Sequence, residues 1–169
     1  MSDFCTVLHS LNSPQNVGMI VRSHIAHGGN EIVFIGHELP WQFKKGSQSF
    51  SRKLEKQAEI IHLPNPDDVF EWCMANSYTS VAIEIAEQTS LLNQFTFPEK
   101  TALIVGNEAD GLPTSFIKKC AHVVTIPQYG PVGSLNVAVS ASIAMYELRR
   151  GLPAQEIIKD EFNTEVLSL

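Results

Sequence analysis

Phe4-Cys5-Thr6-Val7-Leu8-His9-Ser10-Leu11-Asn12-Ser13-Pro14-Gln15-Asn16-Val17-Gly18-Met19-Ile20-Val21-Arg22-Ser23-His24-Ile25-Ala26-His27-Gly28-Gly29-Asn30-Glu31-Ile32-Val33-Phe34-Ile35 holds a strand, a helix and a second strand in succession. Phe4–Leu11 reads as extended, with Cys5, Val7 and His9 on one face. Pro14–His27 then places Val17, Ile20, Val21 and Ile25 at helical spacing and meets Gly28-Gly29 as a stop. Glu31–Ile35 is a short apolar run closed by Gly36. Such a βαβ unit is the building block of a parallel sheet.

The pattern repeats outward. The stretch 37–51 is polar and irregular, long enough for a functional loop. Residues 54–63 read as a short helix and strand. Asn65-Pro66-Asp67-Asp68 opens a helix to Ala75, with Asn65 as cap, proline at the first position and acids in the first turn. Thr79–Ile85, Thr101–Val105 and His122–Ile126 read as strands, Pro113–Cys120 as a short helix and Ser134–Arg149 as a long one. The expected fold is α/β, a mostly parallel sheet with helices on both faces. Residues 1–150 form one domain on this reading, and 151–169 a tail or short helix.

Composition bounds the function. With 169 residues, 44% hydrophobic and 18% charged, the chain is an ordinary globular one. No apolar run is long enough to cross a bilayer, and Met1-Ser2-Asp3-Phe4 lacks a secretory pattern, so a cytoplasmic protein with no membrane partner is expected. Cys5, Cys73 and Cys120 are odd in number and far apart, which speaks against a disulfide framework or structural zinc. A net charge of −6 speaks against coating nucleic acid by charge alone. Residues 1–56 nevertheless carry six Lys/Arg against four acids, with Lys44, Lys45, Arg52, Lys53 and Lys56 clustered. They are either a solvated face or a phosphate-contacting patch.

Three loops at strand ends carry the chemistry. No G-x-G-x-x-G follows the first strand, so a common pyrophosphate cradle is missing. Gly106-Asn107-Glu108-Ala109-Asp110-Gly111-Leu112 holds a carboxylate between two glycines, as a plain turn or a ligand loop. In Ile126–Asn136, Pro127 and Pro131 stiffen a loop whose Gly130 and Gly133 permit unusual dihedrals. Ser134 is placed to cap the long helix, with Asn136 in its first turn. Ala138, Ser140, Ala141, Ser142 and Ala144 make that helix small-sided, suited to close packing inside the domain or against a second subunit. Arg22 fits either a surface ion pair or a phosphate clamp.

Together these segments resemble the SpoU/TrmH family of knotted, SPOUT-class RNA ribose methyltransferases. The family's N-x-x-N-x-G-x-x-x-R is matched by Asn16, Gly18 and Arg22, with Ser13 in place of the leading Asn. Its G-x-E-x-x-G is matched by Gly106, Glu108 and Gly111, and its I-P-x-x-G-x-x-x-S-L-N-V by Ile126, Pro127, Gly130, Ser134, Leu135, Asn136 and Val137. The likeness covers about residues 4–150. It implies a C-terminal trefoil knot (the SPOUT fold), a homodimer built on the first and last helices, and bent S-adenosylmethionine. The cofactor residues implied are Glu84, Ile85, Gly106, Ile126, Gln128, Gly130, Ser134 and Leu135. The catalytic set implied is Asn16, Arg22, Glu108, Ser134 and Asn136, with no metal.

The implied reaction moves a methyl group to a ribose 2′-hydroxyl of tRNA or rRNA, which needs alignment and the loss of one proton. The family proposes Arg22 as base. A guanidinium holds its proton in proteins, so the reading adopted is that Arg22 grips the neighbouring phosphate and orients the hydroxyl. Lys44, Lys45, Arg52 and Lys53 are the candidate RNA contacts, and Gly46-Ser47-Gln48-Ser49 beside them favours tRNA. His24 and His27 depart from the family pattern and are expected to face a groove or the dimer seam rather than a metal. Two alternatives remain at this point: a catalytically inactive RNA-binding or assembly factor, and a flavodoxin-like nucleotide module.

Overall fold

The computed structural model describes residues 3–36 and 58–152. Among them are seven strands: β1 (Asp3–His9), β2 (Glu31–Ile35), β3 (Glu59–Leu63), β4 (Thr79–Ile83), β5 (Ser90–Leu91), β6 (Lys100–Val105) and β7 (His122–Thr125). Four helices accompany them: α1 (Pro14–Ala26), α2 (Asp68–Ala75), α3 (Thr114–Ile117) and α4 (Val137–Arg149). The sheet order is β3-β2-β1-β6-β4-β7-β5 and every pairing is parallel. All strands therefore end on one edge, and the loops after β1, β4, β6 and β7 leave from it. The chain order reverses between β1 and β6, which is where open α/β sheets bind ligands.

Alternation along the strands divides the core. Phe4 and Leu8 of β1, Ile32 and Phe34 of β2, and Leu103 and Val105 of β6 pack under α1 and α4 with Ile20, Val21, Ala141 and Met145. Cys5 and Val7, Val33 and Ile35, and Ala102 and Ile104 face the other way, onto Val69 and Cys73 of α2 and Phe116 of α3. Helices cover both faces, as the βαβ pattern predicts. The small residues of α4 are used within the domain. Ala138, Ala141 and Ala144 are buried, and Ser142 donates to the Ala138 carbonyl (2.7 Å) while pairing with Ser23 of α1 (2.7 Å). At the far end, Arg149 donates through Nε to the His27 carbonyl (2.7 Å) and through a terminal nitrogen to that of Gly28 (2.8 Å), closing the end of α1.

Boundaries differ from the sequence reading by a few residues, each for a local reason. Strand β1 stops at His9 because Ser10 turns to φ 53°. Strands β4 and β7 end at Ile83 and Thr125, which releases Glu84, Ile85 and Ile126 into loops. The cap of α2 falls at Asp67 rather than Asn65, whose side chain instead donates to Asp68 (2.7 Å). Helix α3 spans Thr114–Ile117 rather than Pro113–Cys120. Strand β5 and the 3₁₀ turn Leu92–Gln94 were not anticipated, being too short to show a period. Gly130 and Gly133 have no positive φ, so the unusual dihedrals expected there are not used. The short helix expected just before β3, and the tail beyond Leu152, lie outside the described residues.

His24 is a correction. It faces neither a groove nor a seam but is fully buried beneath α1, 2.8 Å from the Thr6 hydroxyl and edge-on to Phe4. Burial pushes its imidazole down to about 4, with the Arg149 charge adding to the effect and the Asn30 backbone opposing it. His27 sits at the end of α1 with Nδ1 2.8 Å from the Ser23 carbonyl. Because His24 binds its proton more weakly when folded, it stabilises the protein above its unfolded value near 6.5, and this is lost as pH falls towards 4. Denaturant titrations from pH 7 to 4 should show about 3 kcal/mol of this loss. His24→Gln should flatten that slope, and an unchanged slope would refute the assignment.

Candidate active site

The loops after β1, β6 and β7 are tied by one line of side chains. Asn136, the residue before α4, accepts the Ala138 and Val139 amides on its side-chain oxygen (2.9 and 3.3 Å). Its Nδ2 must then point away from the helix, and it donates to Asn16 Oδ1 (3.0 Å). Asn16 therefore presents its own Nδ2 to Glu108 Oε1 (3.0 Å). The Asn12 and Ser13 backbone amides complete the carboxylate at 2.9 Å each. Each amide orientation forces the next, and a carboxylate is the terminal acceptor such a chain requires. Burial alone would raise the Glu108 carboxyl, but the hydrogen bonds from Asn12, Asn16 and Ser13 outweigh it and hold it below its usual range.

Local sequence explains each member. Ser13 is extended and caps α1 by accepting the Asn16 amide (3.3 Å), the work any short polar residue does there. Asn136 caps α4, the role expected of Ser134, and Ser134 lies outside the helix. Gly106 must lack a side chain because a Cβ would overlap the Gly111 carbonyl carbon and the Leu112 nitrogen. Gly111 sits at φ +65° with Glu84 against it. Sequence reasoning missed Asn107, which donates to the Ser10 carbonyl (2.6 Å) and folds the loop by accepting the Ala109 amide (2.8 Å). An Asn two residues before a small residue in a glycine-bounded loop is the available signal for such a turn.

A small open cleft lies beside this network at the ends of β4 and β7. Of the residues expected to hold a cofactor, Glu84, Ile85, Ile126, Gln128, Ser134 and Leu135 line it, while Gly106 and Gly130 do not. Glu84 is more than lining. It accepts the Ile85 amide (2.9 Å) and the Leu112 amide (2.8 Å), fastening the end of β4 to the Gly106–Leu112 loop. Gln128 carries a buried side-chain oxygen with no hydrogen-bond partner. Arg22 is exposed on α1 and is not among the residues that line the cleft. Lys44, Lys45, Arg52 and Lys53 lie outside the described residues.

Asn136→Ala should cost about 1–2 kcal/mol in denaturant unfolding, the usual loss of a helix cap. Ser134→Ala should leave stability within about 0.5 kcal/mol, as a surface change does. A double-mutant cycle of Asn16→Ala with Asn136→Ala should show coupling of about 0.5–3 kcal/mol. Simple additivity would mean that the chain of amides contributes nothing as a unit.

The comparisons agree with this geometry. Residues 3–146 match the model of the SpoU rRNA Methylase family. A 23S rRNA (uridine(2479)-2′-O)-methyltransferase of Streptomyces viridochromogenes is 30% identical over 88% of this chain and 53% of its own length. A tRNA (guanosine(18)-2′-O)-methyltransferase of Mus musculus is 29% identical over 89% of this chain but only 10% of its own. The chain thus spans about half, or far less, of these two relatives. Among solved structures, an AdoMet-bound rRNA methyltransferase from Sinorhizobium meliloti superposes with a TM-score of 0.80 at 25% identity, over 90% of this chain and 57% of that one. The match runs from β1 into α4 and so takes in all three tied loops, and the chain belongs to the SpoU rRNA methylase family.

Proposed function

We propose that this chain is an S-adenosylmethionine-dependent methyltransferase acting on a ribose 2′-hydroxyl of RNA. The observation that carries the reading is the convergence of the three motifs on one sheet edge, with Asn16, Glu108 and Asn136 joined and the cleft beside them. Relatives named as 2′-O-methyltransferases of tRNA and rRNA support it. A solved structure concerned with the 2-OH methylation of C/U34 on tRNA is 25% identical with a TM-score of 0.76, the match covering 88% of this chain and 95% of that one. We favour tRNA over rRNA, residues 1–150 as the catalytic domain, a trefoil knot formed by the C-terminal loops, and the cytoplasm as location.

The residues fit the cofactor. The unpartnered Gln128 oxygen is an acceptor set in the wall of a cleft whose other walls are Ile83, Ile85, Ile126 and Leu135. A buried acceptor of this kind calls for a donor, which the amino groups of S-adenosylmethionine provide. When bound, that cofactor supplies a methyl group already activated on a sulfonium. Glu84 would hold the two loops around it at fixed spacing. Arg22 would clamp the phosphate beside the target ribose with paired hydrogen bonds. Asn16 and Asn136, both committed to the amide chain, position the loops instead of moving the proton.

A homodimer completes the reading. Met19 on α1 and Val139, Ile143 and Tyr146 on α4 leave apolar side chains exposed on the two paired helices, the kind of surface a second copy would cover. Lys44, Lys45, Arg52 and Lys53 remain the proposed RNA contacts. Calorimetry should show S-adenosylmethionine binding to the wild-type protein, and mass spectrometry of RNA nucleosides from a deletion strain should show one methylated ribose missing. Arg22→Lys should keep cofactor affinity while slowing methyl transfer roughly 10²-fold, the scale expected for a misplaced reactant. Retention of most activity would exclude both the clamp and the base, and no cofactor binding would favour an inactive RNA-binding factor.

A further inference from the structure

Tyr129 is 93% exposed, the most open large apolar side chain among the described residues, and it makes no ring contact or hydrogen bond there. It sits in the Ile126–Asn136 loop, next to Gln128, whose buried oxygen belongs to the cleft wall. Gln128 lines the cleft, while Tyr129, the next residue, is turned to solvent. Pro127 and Pro131 fix their own φ in this loop. Val132, 61% exposed, extends the apolar surface along the loop.

Charge narrows the choice of partner. The chain carries −6, and the described part of it has twice as many acidic as basic side chains, which repels a phosphate backbone. A π-face is indifferent to that repulsion. Stacking a nucleobase on an exposed aromatic is how proteins hold single-stranded RNA when base edges are not read.

Resting on the methyltransferase reading, we infer that Tyr129 is a stacking platform for a nucleobase flanking the target ribose, positioning unpaired RNA over the cleft. The inner side of one loop then faces the cofactor and its outer side faces the substrate. Tyr129 does not touch the reacting atoms. It is a positioning residue that contributes to RNA affinity without regard to base identity.

Fluorescence anisotropy of the full chain with labelled oligo(A), and with an abasic phosphodiester strand of equal length, tests this. The wild type should prefer oligo(A), and Tyr129→Ala should lose roughly 5- to 100-fold of affinity for it, the range stacking confers. Binding to the abasic strand and the salt slope should be unchanged. Tyr129→Phe should bind like the wild type. Calorimetric affinity for S-adenosylmethionine and the sedimentation mass should match the wild type in all three proteins. Equal binding of Tyr129→Ala and wild type to oligo(A) overturns the inference. So does a drop in mass, which would assign the ring to a second copy, or weakened cofactor binding, which would assign it to the cleft. Failure of the wild type to bind S-adenosylmethionine, with the base preference intact, would count against the methyltransferase reading alone.

Discussion

The architecture of the site depends on two asparagine side chains lying head to tail. Asn136 spends its oxygen on the first amides of α4 and its nitrogen on Asn16, and Asn16 spends its own nitrogen on Glu108. An amide group has one acceptor and one donor end, so the direction of the first bond dictates all the others. The line runs from the start of α4 through the start of α1 to the loop after β6, segments separated by about a hundred residues of chain. Without it, the start of α4 would lose its side-chain tie to the other two loops. Glu108 is ionised at the end of the line because three N–H groups face it, which makes these bonds charge-assisted and stronger than neutral ones.

That line crosses the sheet where its topology reverses. The loop after β1 and the loop after β6 emerge side by side because the strands are neighbours, yet the chain between them has built β2 and β3 on one side and β4 and β5 on the other. Glu108 bridges this seam to the Asn12 and Ser13 amides, and Glu84 bridges the next one, from β4 to Leu112. Two carboxylates thus pin the Gly106–Leu112 loop from both sides. Gly106 and Gly111 are what allow it to lie so close, one by having no Cβ and the other by its left-handed backbone. The cleft next to them is shaped by this fastening rather than by a cavity in the core.

Much of this was legible in the sequence, because strand and helix periods report burial. The βαβ order, the parallel sheet and the two covered faces follow from apolar runs such as Thr101–Val105 and the helical spacing of Val17, Ile20 and Val21. The motifs also identified Asn16, Glu108 and Asn136 as one group. What the sequence could not supply was their division of labour. Asn136 and Ser134 are both fit to cap a helix, and only the packing of α4 against α1 selects Asn136. His24 reads as facing a groove or the dimer seam because nothing local records that Thr6, eighteen positions earlier, would meet it beneath the helix. Asn107 is hidden for the same reason, since the carbonyl it reaches belongs to Ser10, just past the end of β1.

The charge of the chain shapes how it can meet RNA. Most nucleic-acid-binding surfaces gain affinity by releasing counterions, and a net −6 surrenders much of that gain. The positive charge that exists is concentrated between Lys44 and Lys56, while the cleft is rimmed by Ile85, Ser134 and Leu135 and carries the Glu84 carboxylate. On the proposed reading, long-range attraction and close fit would fall to different segments. The basic stretch would draw the phosphate backbone near, and the Ile126–Asn136 loop would take an unstacked base once it arrives. Such a division favours unpaired nucleotides over duplex, because only an unstacked base can reach a ring standing on a loop.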